Sequence, residues 1–238
     1  CALPILMLDG WQALTNLERG FLPTCRELLL RPGSMLRAYW GGASSHYQSP
    51  LRFVFIALTI SILAYLLTGM EESMRTLGVM EVSQNGQRVG ELEERFSNQL
   101  IDFLVSYLNV LTLLMLPFVS FFTWLFFFRK GANYAEHLTA NAYYLGMGSL
   151  LALVVLPLSL IYPAGTQQVM LYVLGSALIS NLYNMYAFKR LFRVNWWSAF
   201  WKSTTALALG YVIFMFLIFF ILGLYMTYVI NPEVSVTE

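Results

Sequence analysis

Glu136 and His137 are the one adjacent carboxylate and imidazole pair in this sequence. Such a pair could relay protons or bind a metal ion. The alternative is structural, because Asn133 stands three residues before Glu136, which is the spacing of a helix N-cap and the acid that reciprocates it. A carboxylate in the first turn is also favoured by the helix dipole. The residues therefore leave two interpretations open, a reactive pair and a capping pair.

A second set of chemically capable side chains lies within long apolar runs. Its members are the amides Asn109, Asn141, Asn181 and Asn184. Hydrogen bonds between neighbouring helices explain such amides, at roughly 0.6 to 2 kcal/mol each. The sharper interpretation is a polar cavity or path that accepts a lipid headgroup or a small solute.

Catalytic and metal-binding signatures are absent from the sequence, which has no GxSxG, HExxH, Walker or dinucleotide-binding motif. Cys1 and Cys25 belong to no CxxC or Cys/His cluster, so neither a metal site nor a disulfide framework is predicted. A net charge of +1 gives no general attraction to nucleic acid. We therefore predict a protein that is not an enzyme, with no cofactor, no metal and no nucleic-acid partner.

Membrane helices are the elements that must position these residues. Hydrophobic residues make up 58% of the chain and charged residues only 11%, against about 25% charged residues in soluble domains. The apolar residues form five runs, each long enough to cross a hydrocarbon core about 30 Å thick. We predict an all-α polytopic membrane bundle over residues 51–230. Its five transmembrane helices are predicted at 51–68, 101–128, 139–162, 167–188 and 205–230.

The distribution of charge predicts the orientation of this bundle, because Lys and Arg are retained on the cytoplasmic side. Eleven of the fourteen Lys and Arg residues fall on the side of the N-terminal segment 1–50. That segment is predicted in the cytoplasm, whereas the loop 69–100 and the tail 231–238 are predicted outside. Within the outer loop, Asn85-Gly86 between short alternating runs predicts a hairpin.

Two short amphipathic helices are predicted before the first span. The first ends at Pro32-Gly33, and the second runs from an N-cap at Ser34 to Trp40. Arginines mixed with apolar residues are typical of helices at the headgroup level, where each is worth about 1 kcal/mol near an anionic surface. The alternative is that these arginines only anchor the bundle. The lipid-headgroup candidates are Arg26, Arg31, Arg37 and Arg52.

Small residues and prolines predict how the helices pack. Pro117 and Pro157 are predicted to kink spans two and three. Small residues four positions apart permit close contacts between helices. The pairs are Ala142 with Gly146, Gly148 with Ala152, Ser176 with Ser180, and Ala206 with Gly210.

Several short motifs stand before the first span and at the ends of later spans. They include Gly20-Phe21-Leu22-Pro23-Thr24, Arg31-Pro32-Gly33, Ser49-Pro50-Leu51-Arg52-Phe53, Glu136-His137-Leu138 and Lys189-Arg190. Together they resemble the DUF3667 family of bacterial membrane proteins. Gly41-Gly42-Ala43 stands where the family carries Gly-Lys-Arg. The family is uncharacterised, and its arrangement is similar to Yip1-like five-span proteins. The resemblance therefore implies a fold in the inner membrane but no reaction.

Two functions are predicted as alternatives. The first is an accessory or scaffold subunit of the bacterial inner membrane that binds phospholipid and a larger membrane complex or further copies of itself. The scarcity of charge inside the spans motivates it. The second is a transporter or channel with a polar path between spans two, three and four.

Overall fold

The computed structural model describes residues 20–68, 107–161 and 166–225, which consist of helices and short connections without any strand. The prediction of an all-α fold is confirmed for this part of the chain. The predicted hairpin at Asn85-Gly86 and the tail 231–238 lie outside the described residues. The helices are α1 (20–30), α2 (Pro32–Trp40), α3 (Pro50–Leu67), α4 (Leu108–Phe127), α5 (Tyr134–Ala152), α6 (Val155–Ser159), α7 (Thr166–Phe192) and α8 (Trp196–Tyr225).

Four stretches of the described residues are long and apolar enough to cross a membrane. They are Ala43–Leu67, Val110–Lys130, Tyr134–Ser159 and Trp196–Ile221. Only 17% of the apolar stretch of α8 is buried, and large apolar side chains such as Val212 and Phe216 cover its outer surface. Soluble monomers rarely expose continuous apolar patches of this extent. The chain is therefore a membrane protein, while the fourth predicted span, at 167–188, stays a prediction.

Helix α5 forms the centre of the bundle, where it packs against α3, α4 and α7. Its apolar stretch is 56% buried, against 17–28% for the other three. Glycines make this packing close: a Cβ on Gly146 would lie 2.9 Å from the ring of Phe53 and 3.1 Å from the Cα of Val54. A Cβ on Gly148 would lie 3.4 Å from Ser180 of α7. The small residues predicted to permit close contacts do so here.

Pro157 breaks the third predicted span. Helix α5 ends at Ala152 and α6 begins at Val155. Pro157 has no amide hydrogen to donate to the carbonyl of Leu153, four residues earlier. The chain instead bonds over three residues, and the Leu156 amide donates to the Leu153 carbonyl at 3.3 Å. Pro117, by contrast, lies inside α4 without ending that helix.

One predicted helix start is wrong, and the last helix begins before the last predicted span. Ser34 does not cap α2, which begins at Pro32, where no amide donor is needed; the Ser34 hydroxyl instead donates to the Arg31 carbonyl at 3.0 Å. The last helix begins at Trp196 rather than at 205. Lys202 interrupts the apolar pattern there, but its Nζ donates to the Phe126 carbonyl at 2.9 Å, in the last turn of α4. The charge is thus accommodated within the helix.

Gly210 provides a test of the contact between α8 and α4. A Cβ there would lie 2.7 Å from Cγ2 and 2.8 Å from Cα of Val119. Because backbone cannot move aside cheaply, Gly210→Ala is expected to destabilise the protein by about 1–3 kcal/mol. Gly223→Ala in the same helix is the control, since nothing lies within 4 Å of its Cβ position. Thermal unfolding in detergent should show a lower Tm for Gly210→Ala alone, and equal Tm values would contradict the close contact.

Candidate functional site

The cations of the described residues gather at one end of the bundle. Helices α3, α5 and α8 begin at this end, and α4 and α7 end there. The described residues include only two carboxylates, Glu27 and Glu136. Positive charge is therefore concentrated at one end with little compensation. The cations are Arg26, Arg31, Arg37, Arg52, Arg129, Lys130, Lys189, Arg190, Arg193 and Lys202.

A cavity of about 530 Å³ opens at this end between α2 and the C-terminal end of α7. Five of its nine lining residues are cationic, and none is acidic. Two of the predicted headgroup candidates line it and the other two, Arg26 and Arg52, are exposed elsewhere. The lining residues are Leu30, Arg31, Gly33, Ser34, Arg37, Lys189, Arg190, Arg193 and Val194.

Two contacts hold the walls of this cavity together. The Nη1 of Arg37 donates to the carbonyls of Arg190 at 3.0 Å and Leu191 at 2.7 Å. These last-turn carbonyls have no partner within their helix, and a cation is favoured at this negative end of the helix dipole. A Cβ on Gly33 would lie only 2.3 Å from the Arg190 oxygen. Helices α2 and α7 therefore meet backbone to backbone, which only glycine allows.

Tyrosine hydroxyls fix α1 to the same end of α7. Tyr183 donates to the Leu28 carbonyl at 3.1 Å, and Tyr186 donates to the Leu30 carbonyl at 2.9 Å. Both acceptors belong to the last turn of α1, whose carbonyls have no partner within the helix. The two helices before the first span are thus parts of the bundle rather than loose attachments.

Three of the cavity cations escaped the sequence-based prediction. Lys189, Arg190 and Arg193 lie more than 150 residues after Arg31 and Arg37 in the chain. The sequence indicates for them only a contribution to orientation, and Lys189-Arg190 also belongs to a motif that resembles the DUF3667 family. No local sequence pattern indicates that two distant segments line the same cavity.

The structure separates Glu136 from His137. The Asn133 amide donates to Glu136 Oε2 at 2.8 Å, and the Glu136 amide donates to Asn133 Oδ1 at 2.8 Å. The capping interpretation is therefore confirmed. His137 is fully buried, with its ring stacked on those of Phe127 and Phe192 at centroid distances of 6.4 and 5.1 Å. The carboxylate caps the helix while the imidazole packs in the core.

A small polar cluster lies between α4 and α5. The Nδ2 of Asn141 lies 2.8 Å from Thr123 Oγ1, 3.2 Å from Ser120 Oγ and 2.9 Å from the His137 carbonyl. The Nδ1 of His137 lies 3.2 Å from the same Thr123 oxygen. The Nε2 of His137 is buried and finds no partner among the described residues. Among those residues, no group of three His, Cys, Asp or Glu side chains could hold a metal ion.

The other predicted asparagines belong to different helix contacts. Asn181 Oδ1 accepts a hydrogen bond from Thr204 of α8 at 3.0 Å. Asn184 donates to the Ser180 carbonyl in its own helix at 2.9 Å. The side chain of Asn109 lies outside the described part of the structure. Asn141 and Asn181 thus bond to α4 and α8 respectively.

Cys25 of α1 gives a test of the packing before the first span. Burial raises the pKa of its thiol from the ordinary 9.0 to about 11. Because the thiolate is the reactive form, maleimide should label Cys25 about 100-fold more slowly at pH 8 than an ordinary thiol, and the rate should rise up to about pH 11. The comparison uses a Cys1→Ser protein and a second protein with Arg26→Cys and both native cysteines changed to serine. Equal labelling rates would show that α1 does not pack as described.

Comparison with known families supports the motifs before the first span. Residues 18–62 match the model of the family described as "Protein of unknown function (DUF3667)". The matched segment contains α1 and α2, with the cavity residues Arg31, Gly33 and Arg37. Neither the curated proteins nor the solved structures give a match. Over residues 18–62, the resemblance of this chain to the DUF3667 family is confirmed.

Proposed function

We propose that this protein is a non-enzymatic, five-span protein of the bacterial inner membrane, an accessory or scaffold subunit that binds phospholipid through its cationic end. One observation carries the proposal: ten described cations share one end of a bundle whose sides expose apolar side chains. An anionic membrane surface attracts each such cation by about 1 kcal/mol. The bundle would thus sit in lipid with this end at the phosphates.

Helix α7 is the fourth of the five spans in this proposal. Its 27 residues extend about 40 Å at 1.5 Å per residue, which exceeds the hydrocarbon core. Its outer face is apolar, with exposed side chains at four-residue intervals: Met170, Leu174, Leu178 and Leu182. Two of its polar residues turn inward, since Ser180 donates to the Gly148 carbonyl of α5 at 3.3 Å and Asn184 is buried. These inward residues lower the mean hydropathy of the helix without meeting lipid.

The helices before the first span support a Yip1-like arrangement with a cytoplasmic N-terminal segment. Helix α1 buries Phe21 and Leu28, while Leu22 and Leu29 are exposed on either side of the exposed Arg26. An exposed apolar face beside an arginine suits a helix that lies in the headgroup layer. Retention of Lys and Arg in the cytoplasm then places the cationic end inside.

A transporter or channel is the second candidate. The observation that favours it is the buried cluster of Thr123, His137 and Asn141, whose imidazole Nε2 has no partner among the described residues. Polar side chains inside a membrane commonly mark a solute or proton path. Against this, Asn141 and Asn181 are engaged in contacts with different helices.

Cysteine labelling tests the five-span arrangement. In a protein with Cys1→Ser and Cys25→Ser, an impermeant maleimide added to intact spheroplasts is expected to label Gln87→Cys and Ala164→Cys. It should leave Arg129→Cys and Asn195→Cys unlabelled until the membrane is permeabilised, because positive residues stay inside. The pair at 164 and 195 flanks α7, so labelling of both on the same side would contradict its assignment as a span.

Two measurements separate the functional candidates. An accessory or scaffold subunit is expected to leave native membranes in mild detergent as an oligomer or with a partner at fixed stoichiometry. A monomer that runs alone would contradict this role. A transporter should lose solute flux in proteoliposomes when Asn141→Leu and Asn184→Leu are combined, since leucine retains the volume but not the amide.

A further inference from the structure

We propose that the cavity between α2 and the end of α7 is a specific site for a phosphate-bearing anion, either a lipid headgroup or a soluble phosphate compound. The inference deepens the proposed function, because it turns a general attraction to anionic lipid into recognition at one place. It rests on the cavity lying at the membrane surface.

Charge balance is the first argument. The cavity is lined by Arg31, Arg37, Lys189, Arg190 and Arg193, whereas neither described carboxylate, Glu27 nor Glu136, lines it. Like charges held together repel, and an anion that binds among them relieves this repulsion. Arg31, Arg37 and Arg193 are exposed, so an anion from outside the described chain can reach them. Phosphate suits these residues, because the guanidinium fork binds its oxygens in pairs.

Convergence is the second argument. Cytoplasmic retention depends on the number of Lys and Arg residues near the ends of the spans. It does not require that they share one cavity. Here α2 and α7 are locked together by Gly33, whose Cβ position lies 2.3 Å from the Arg190 oxygen. The contact brings Arg31 and Arg37 to the same cavity as Arg193.

Several of the cations are already held in place. The Lys189 ammonium lies 3.7 Å from the centroid of the Trp196 ring, and the Arg190 guanidinium lies 5.6 Å from that of Tyr186. Aromatic faces attract cations without occupying all of their hydrogen-bond donors. Arg37 uses Nη1 for the carbonyls of α7, and a guanidinium has five N–H donors in total. Side chains fixed in this way lose less entropy when a ligand binds.

Arg193 shows backbone strain at the cavity. Its φ of 51° is the only positive value at a non-glycine position in the described residues. A helix commonly ends with glycine or asparagine in this left-handed conformation, since a larger side chain is disfavoured there. Strained residues cluster at ligand sites. The side chain of Arg193 lines the cavity, so the strained backbone at this position places a cation in the cavity.

The size of the cavity indicates the class of ligand. Its volume of about 530 Å³ falls within the range of about 300–1,000 Å³ for small-molecule sites. A phosphate with a further group attached fits this space, and Leu30 and Val194 add apolar lining. Basic pockets between membrane helices on the cytoplasmic side are suited to phosphorylated headgroups.

Arg193→Gly provides the decisive variant. The full-length protein in phosphatidylcholine nanodiscs is titrated with inorganic pyrophosphate, and a parallel series of nanodiscs contains increasing phosphatidic acid. Each series is followed by thermal unfolding. Glycine adopts a positive φ without strain, so the Tm of Arg193→Gly in the absence of ligand is expected to equal or exceed that of the unaltered protein. It should nevertheless lose about tenfold or more in apparent affinity, since a charge-assisted hydrogen bond is removed.

Arg26→Gln is the matched control, because it removes one charge from the same end outside the cavity. Its affinity should stay within about twofold of the unaltered protein, as expected for an exposed charge. Arg31 also lines the cavity, and its φ of −142° is negative. Arg31→Gln is expected to weaken binding as Arg193→Gly does. If Arg193→Gly cannot be purified, Arg31→Gln tests whether the cavity binds the anion.

The two series identify the source of the phosphate. Saturable stabilisation by phosphatidic acid alone assigns a lipid headgroup, stabilisation by pyrophosphate alone assigns a soluble compound, and both together show that the phosphate group itself is recognised. Equal losses in the cavity variants and in Arg26→Gln, or no stabilisation in either series, would overturn the proposal. These results do not depend on the labelling pattern or on copurification, so the site and the scaffold role can fail separately.

Discussion

Unpaired carbonyl groups at the ends of helices are the constraint on which this end of the molecule depends. The last turn of a helix cannot pair its own carbonyls, and near lipid there is little water to do so. Distant side chains supply the donors: Arg37 for α7, Lys202 for α4, and Tyr183 with Tyr186 for α1. Each of these bonds joins two segments that are far apart in sequence. The hydrogen bonds that pair the helix-end carbonyls therefore also hold the helices of the bundle together.

The same constraint explains why cations converge. The C-terminal ends of α4 and α7 carry partial negative charge, which favours Lys and Arg nearby. One cation at each end, Lys202 or Arg37, bonds to those carbonyls. The remaining cations exceed what the carbonyls require, and those around α2 and α7 share a cavity without a carboxylate. The structural role of Arg37 and the proposed binding role of its neighbours thus share one electrostatic origin.

The interior of the bundle follows a different rule. Between α4 and α5, Asn141 satisfies its amide through Ser120, Thr123 and a backbone carbonyl, because an unpaired polar group in hydrocarbon is costly. His137 obtains one such contact, and its ring stacks between aromatic side chains. Polar groups inside the bundle are here mostly paired with their neighbours, whereas Arg31, Arg190 and Arg193 at the cationic end are exposed.

The sequence by itself indicated the all-helical fold with long apolar spans, a disturbance of the third span at Pro157 and, as one of two interpretations, the cap formed by Asn133 and Glu136. These features depend on residues within a few positions of one another, where hydrophobic runs, missing amides and capping pairs act directly. It did not reveal that α8 begins at Trp196, because Lys202 interrupts the apolar pattern and its partner, Phe126, is remote. Only the tertiary structure decided that Glu136 and His137 act apart, and that Arg31 and Arg37 share a cavity with Lys189, Arg190 and Arg193. The physical reason is that backbone contact at Gly33 and bonds to helix-end carbonyls join segments more than 150 residues apart. Contacts between such distant segments produce no periodic pattern in the sequence.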